Sequence, residues 1–128
     1  MIGSTRNVRV FAHPAPVDMR RGYNGLFALA RDVIGQDPMS GHLFLFVGKD
    51  RRRCKVLLWD GTGLCIFQKR LAQGRFVALW ERSSHNGAVT LTTSELALFL
   101  EGSKAVRENL SPPPFLLRIS NQTARQCV

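Results

Sequence analysis

The stretch of residues 55–76, KVLLWDGTGLCIFQKRLAQGRF, constrains the fold most, because two apolar segments meet there through a Gly-rich turn. Just before it, the apolar segment 42–47 is followed by a short polar connection, residues 48–53, of the length and composition that β-hairpins use. The pattern therefore predicts three successive strands, 42–47, 54–60 and 64–69, that form an antiparallel meander.

In this predicted meander, most of the cations lie at one end of the sheet. If the first strand runs up, the third also runs up, so the polar connection after the first strand lies beside the end of the third. We predict that this end binds DNA phosphates, and that two further arginines extend the surface if the first helix starts near the same rim; the alternative is a solvated hairpin tip without a ligand. The predicted contacts are Arg51, Arg52, Arg53, Lys55, Lys69, Arg70 and Arg75, with Arg20 and Arg21 as the extension.

The overall charge favours the same interpretation. The chain carries 18 Lys+Arg against 9 Asp+Glu, a formal net charge of +9, and 14 of the cations are arginine. A guanidinium group donates two parallel hydrogen bonds, which suits phosphate better than the point charge of lysine does. Arginine is also favoured by codon usage in GC-rich genomes, so the excess does not by itself place a binding surface.

Apolar segments and cysteines indicate the compartment. No apolar run reaches the roughly 18–20 residues of a spanning helix, and the first residues lack the apolar core of a signal peptide, so we expect a cytoplasmic protein. The three cysteines, Cys54, Cys65 and Cys127, are odd in number and lack CxxC spacing. We expect reduced thiols, with Cys54 and Cys65 packed as small hydrophobic residues, and neither a metal nor a cofactor.

The rest of the chain predicts a single α+β domain, residues 1–102. A first strand ends at His13, a helix covers residues 25–34 and stops at Gly35, and further strands are predicted at 76–80 and 87–91. Thr93 is the predicted N-cap of a second short helix that ends at Gly102.

Residues 103–128 are interpreted as a flexible C-terminal tail that contains a proline run. Its Phe115-Leu116-Leu117 segment is the part expected to pack on the domain or on a second copy. The meander strands are apolar on both faces, so two short helices are expected to leave part of the sheet uncovered. A homodimer through a sheet face or edge is the simplest solution.

Motifs of common enzymes are absent from the sequence: it has no GxGxxG, Walker loop, GxSxG or HExxH. A three-acid centre built from Asp18, Asp60 and Glu81 or Glu95 is not expected. The meander places Asp60 at the end opposite the cations, and Asp18 stands beside Arg20 and Arg21, where an ion pair or a helix cap is the simpler role. His13, His42 and His85 leave open a small RNA-cleaving nuclease that uses histidine with Arg and Lys. We predict that the protein is not an enzyme.

Four ordered motifs resemble one protein family. They are the early segment 18–26 (DMRRGYNGL), the segment 37–46 (DPMSGHLFLF), the turn 59–65 (WDGTGLC), and Lys69-Arg70-Leu71 followed by Gly74-Arg75-Phe76. Together they resemble the accessory protein TnpB, the second open reading frame of the bacterial insertion-sequence family numbered sixty-six. The resemblance spans roughly residues 8–102; Ala72-Gln73 departs from it where members often carry an acidic residue.

The resemblance implies a role in DNA transposition, a form of recombination, with catalysis assigned to a separate, larger transposase. Combined with the charge, it predicts a non-catalytic accessory protein that binds DNA and assists the transposase of the same mobile element. The main alternative is a protein-interaction adapter that binds the transposase through an apolar sheet face without binding DNA directly.

Overall fold

A computed structural model describes residues 7–81 and 88–102. The first helix, α1 (Tyr23–Leu29), is continued without a break by a π-helical turn, Ala30–Ile34, which ends at Gly35 in the left-handed conformation (φ +78°) that the sequence predicts for a helix stop. A short 3₁₀ turn, Leu79–Glu81, precedes the last strand. The predicted α+β class is confirmed by the elements, which in chain order are β1 (Val10–Ala12), α1 (Tyr23–Leu29), β2 (Leu43–Val47), β3 (Arg53–Trp59), β4 (Leu64–Arg70), β5 (Val89–Leu91) and α2 (Thr93–Leu100).

Five strands form one mixed sheet in the order β4-β3-β2-β1-β5. The predicted meander is confirmed, since β3 pairs antiparallel with both β2 and β4. β1 lies parallel to β2, with α1 in the connection between them, and pairs antiparallel with β5 on its other side. The first strand of the chain therefore lies inside the sheet, between strands that come much later in the sequence.

Each face of the sheet is covered by one helix. On one face, Leu26 of α1 and Ala30 of the π-helical turn pack against Phe44, Phe46 and Leu57, which point to that side from β2 and β3. Because side chains alternate along a strand, the residues between them point to the other face, where α2 and the segment after Arg75 cover them. Two short helices thus bury both faces over the central strands, while β4 keeps exposed residues.

The predicted strand at residues 76–80 is wrong. Phe76, Ala78 and Leu79 are buried, but they fold as an irregular segment and a 3₁₀ turn that cover the α2 face of the sheet. The ring of Phe76 stacks on that of Phe99 at 5.0 Å between centroids. A short segment that packs over a sheet and a short strand within the sheet are both continuous apolar sequence. Periodicity alone therefore does not distinguish them.

The second helix begins one residue earlier than expected. Thr92, not Thr93, is the N-cap: its hydroxyl accepts the Glu95 N–H at 3.0 Å, and a Glu95 carboxylate oxygen accepts the Thr92 N–H at 2.8 Å. This reciprocal arrangement is the capping box, in which Ser or Thr stands three residues before Glu. The sequence TTSE holds two threonines, and only the first has Glu at the required spacing.

The two described cysteines differ from each other. Cys54 is buried as expected, and removal from water raises the pKa of its thiol to about 12, so it stays protonated. The expectation that Cys65 is packed is wrong, because it lies exposed on the edge strand β4. Cys127, His85 and the Phe115-Leu116-Leu117 segment lie outside the described residues. No helix in the described part of the chain has the length and hydrophobicity needed to cross a membrane.

Candidate nucleic-acid interface

The chain topology places three polar connections at one end of the sheet, here called the basic end. It comprises the connection 13–22 after β1, the hairpin 48–52 between β2 and β3, and residues 70–75 at and after the end of β4. Arg53, at the start of β3, pairs directly with Arg70, at the end of β4. The pairing continues beyond both strands, since the Leu71 N–H donates to the Arg52 carbonyl oxygen at 2.8 Å.

The hairpin tip is held in one shape by backbone and side-chain hydrogen bonds. The Arg51 N–H donates to the Gly48 carbonyl at 3.0 Å, and the Asp50 carboxylate accepts the Arg52 N–H at 3.0 Å. An Asp that accepts a backbone N–H two residues ahead stabilises a turn locally. The aspartate in the sequence GKDR is the local sequence signal for this turn.

The hairpin tip also contacts the segment that follows β4. The Phe76 N–H donates to the Arg51 carbonyl oxygen at 2.6 Å, which brings the neighbouring Arg75 to the same end of the sheet. Because Phe76 is buried against α2, this bond joins the polar hairpin to the apolar core. The hairpin is thus attached to the domain at both of its sides.

Arg51 has an unusual backbone for a residue with a side chain. Its φ is +58°, in the left-handed region that costs L-residues roughly 1–2 kcal/mol. We therefore expect Arg51→Gly to raise the free energy of unfolding by about 0.5–1 kcal/mol, after the higher entropy of glycine in the unfolded chain is subtracted. Urea denaturation measures this change, with Arg51→Ala as the control that keeps the Cβ atom; equal stability of the two variants would contradict the prediction.

Arg20 and Arg21 lie at the same end. A parallel β-bridge joins Val17 to Gly48, with the Val17 N–H donating to the Val47 carbonyl at 2.9 Å. A Cβ atom added at Gly48 would lie 2.8 Å from Cγ of Met19, so only glycine permits this close approach. Between the two connections is a cleft of about 550 Å³, whose charged lining residues are Asp18, Arg20, Lys49, Asp50 and Arg53.

The two lysines among the predicted contacts are placed differently from the arginines. Lys55 has 9% of its surface exposed, and its ammonium group donates to the carbonyl oxygen of Arg21 at 2.8 Å. The ammonium group of Lys69 donates to the carbonyl of Leu100 at 2.7 Å, at the C-terminus of α2, where a cation is favourable. Lys55 therefore joins β3 to the connection before α1, and Lys69 joins β4 to the C-terminus of α2.

The predicted arginines are exposed, apart from the half-buried Arg51. A second cleft, of about 440 Å³, lies between the hairpin and the end of β4, and Arg52, Arg53 and Arg70 are among its lining residues. Two carboxylates accompany them. Arg20 binds Asp18 at 2.8 Å, and this contact holds the pKa of the Asp18 carboxyl well below its usual range, whereas Arg53 lies 3.7 Å from Asp50. The basic end thus has a large cationic excess.

Asp60 lies at the opposite end, in the turn between β3 and β4. One carboxylate oxygen accepts the N–H groups of Thr62 at 2.8 Å and Gly63 at 2.9 Å, together with the Thr62 hydroxyl. An aspartate just before a Gly-rich turn commonly accepts turn N–H groups in this way. These bonds stabilise the ionised form and lower the pKa of Asp60 to about 2.

We expect Asp60→Ala to lower the midpoint of thermal unfolding by several degrees at neutral pH, because it leaves the turn N–H groups without an acceptor. The folded-state pKa lies below the ordinary 3.8, so the stabilisation is present above about pH 4 and is lost as the pH falls towards 2. Melting curves from pH 2 to 7 check this, with Asp60→Asn as the control that keeps an acceptor. A constant difference between Asp60→Ala and the unchanged protein across this range would contradict it.

The candidate catalytic residues are not brought together. His13 follows β1 at the basic end, where burial lowers its pKa, whereas His42 precedes β2 at the opposite end and accepts the Arg9 N–H at 3.0 Å. Asp18 and Asp60 are likewise at opposite ends of the sheet. Among residues 7–81 and 88–102, no three His, Cys, Asp or Glu side chains are grouped so as to hold a metal ion.

Comparison with known proteins shows the family. Residues 8–109 match the model of the IS66 Orf2 like protein, TnpB_IS66. The chain belongs to the IS66 Orf2-like family. The recognition made from the four motifs is therefore confirmed, and the family makes this Orf2-like protein an accessory protein of insertion-sequence transposition, associated with the IS66 machinery.

Two relatives of this Orf2-like protein come from Sinorhizobium fredii (strain NBRC 101917 / NGR234), and both carry the name of an uncharacterized protein. The protein y4hO is 38% identical over 102 residues, which are 80% of this chain and 86% of the relative. The protein y4jC is 34% identical over 112 residues, 88% of this chain and 93% of the relative. No solved structure matches the Orf2-like protein.

Proposed function

We propose that this protein is a non-catalytic, cytoplasmic accessory protein of transposition that binds DNA through its basic end and assists a separate transposase. The observation that carries the proposal is the convergence of three connections far apart in the sequence, each bearing exposed arginine, at one end of the sheet. The ordered backbone of these connections supports it too. Arginines held on a rigid frame bind phosphates without the loss of backbone entropy that ordering a flexible tail requires.

The mode of binding follows from the kind of groups that are exposed. Guanidinium groups that contact phosphates supply affinity and orientation but carry little sequence information. The two clefts beside the hairpin match this mode. Neither is lined by an aromatic side chain on which a base could stack, and most of their charged lining residues are arginine or lysine. We therefore propose binding to duplex DNA through its backbone, with Lys55 and Lys69 supporting the surface from beneath.

A salt titration tests the proposal. Fluorescence anisotropy with the full chain, on random duplex and on duplex from the ends of the element, is measured from about 50 to 300 mM salt. Five to seven phosphate contacts predict a slope of log affinity against log salt of about −4.5 to −6.3, similar on both duplexes. A slope shallower than about −1, or no binding at 50 mM salt, would overturn it.

A second candidate function is that of an adapter that binds the transposase without DNA. It is favoured by an apolar groove of about 390 Å³ between α2 and the outer strands, lined by residues that include Leu58, Phe67, Leu96 and Leu100. A pull-down with the purified transposase of the element, after nuclease treatment, separates the two. Capture that is lost in Phe67→Asp, combined with no salt-dependent DNA binding, would favour the adapter.

A further inference from the structure

One long edge of the sheet carries backbone groups that the described residues do not pair. β4 is seven residues long and bonds to β3 on its inner side. The hydrogen-bonded pairs just beyond the strands, Asp60 with Gly63 and Arg52 with Leu71, fix the alternation of the ladder. Cys65, Phe67 and Lys69 therefore bond to β3, whereas the N–H and C=O groups at the alternate positions, 64, 66, 68 and 70, point outward.

The side chains of β4 are also incompletely covered. Phe67 has 46% of its surface exposed, although it lies on the same face as the core under α2. Proteins commonly protect a long edge strand with charges or proline, because a bare edge recruits other strands. In β4 the charges are confined to one half, at Lys69 and Arg70, and the half from Leu64 to Phe67 has none.

We propose that β4 pairs with β4 of a second copy of this chain, antiparallel about a two-fold axis at Phe67, to make a continuous ten-stranded sheet. This register places Ile66 opposite Gln68 of the partner subunit and Leu64 opposite Arg70 of the partner subunit, and it uses all the outward backbone groups. Phe67 meets the partner's Phe67 in a non-hydrogen-bonded pair, where cross-strand side chains approach most closely.

Charge favours this register. The charged half of each strand lies against the uncharged half of the other, so the cations of the two copies are separated by about four to six residues along the strands, or about 13–20 Å. Lys69, whose ammonium group donates to the Leu100 carbonyl oxygen of its own chain, comes opposite the uncharged Cys65 of the partner subunit. Registers that place Lys69 or Arg70 opposite itself bring like charges together.

A single substitution can weaken pairing at the outer edge of β4 without removing a hydrogen bond between β4 and β3. Gln68→Pro removes an outward N–H and no bond to β3, and proline is tolerated at such a position of an edge strand. By the two-fold symmetry each dimer loses two bonds, so we expect the dissociation constant to rise at least about tenfold. Gln68→Ala keeps the N–H and is the matched control. Sedimentation equilibrium on the full chain measures both variants.

A crosslink tests the register. In a Cys65→Ser, Cys127→Ser background, Phe67→Cys is expected to form a disulfide-linked dimer under mild oxidation, since that residue faces its own copy. Gln68→Cys, equally on the edge, faces Ile66 of the partner subunit and is expected to stay uncrosslinked.

The proposal would be overturned by a monomer at all concentrations up to about 500 μM, by unaltered dimerisation in Gln68→Pro, or by crosslinking at position 68 instead of 67. Loss of the dimer only on removal of residues 103–128 would also overturn it, by assigning the contact to that segment. None of these measurements contains DNA, so they stand apart from the test of DNA binding.

Discussion

Replacing Phe76 by alanine is expected to lower the free energy of unfolding by about 3–5 kcal/mol, a large fraction of the total stability of a domain this size. Phe76 is fully buried, stacks on Phe99, and anchors the segment that covers the α2 face of the sheet. Truncation leaves a cavity that the rigid sheet beneath cannot fill. Urea denaturation of the purified full chain measures the change.

The matched control is Phe67→Ala, which removes the same side chain from the same face at a half-exposed site. It is expected to cost about 1 kcal/mol or less when measured at low protein concentration. A loss below about 1.5 kcal/mol in Phe76→Ala would show that the segment after Arg75 does not belong to the core. Phe76→Leu, which fills most of the space, is expected to recover a large part of the stability.

The second large effect is expected on DNA binding. In Arg52→Ala/Arg53→Ala the plot of log affinity against log salt is expected to become shallower by about 1.8, because each lost phosphate contact removes about 0.9. If the two proteins bind equally at 1 M salt, this corresponds to a fall in affinity of about 60-fold near 0.1 M salt. The fold is expected to survive, since both side chains are exposed and the backbone bonds of the hairpin do not depend on them.

A second double variant that removes the same charge elsewhere distinguishes the effect of position on DNA binding from the effect of net charge. Arg9 and Arg31 are both exposed. They are also remote from the basic end, because Arg9 precedes β1 and Arg31 lies in the π-helical turn after α1. Arg9→Ala/Arg31→Ala is expected to leave the slope nearly unchanged. If the two double variants weakened binding equally, the overall charge rather than the basic end would be responsible, and the proposed interface would be wrong.

The meander could be predicted because each of its determinants is local. Apolar segments, a polar hairpin and a Gly-rich turn specify β2, β3 and β4 within the segment 42–70, and Asp60 caps its own turn through residues two and three positions ahead. The end of the sheet at which Arg51–Arg53 and Arg70 meet follows from strand direction alone. That part of the candidate site needed no knowledge of distant contacts.

What the sequence could not reveal depends on long-range packing. Lys55 reads as one more cation near the hairpin, but its ammonium group reaches a carbonyl of the connection before α1, 34 residues away in the chain. Residues 76–80 read as a strand because they are apolar, and only the place of α2 over the sheet makes them a covering segment. Cys65 reads as buried because its strand is apolar, and only the strand order makes that strand an edge.

Because β1 lies inside the sheet, the sheet cannot be completed until most of the domain has been synthesised. The first strand to leave the ribosome acquires its parallel neighbour only when residues 43–45 exist, and its other neighbour only when residues 89–91 do. Contacts this distant in sequence slow folding, and an incomplete chain exposes a bare strand edge meanwhile. We therefore expect a chain terminated before residue 89 to aggregate rather than to retain part of the function. The edge of β1 is protected only when residues 89–91 have been synthesised.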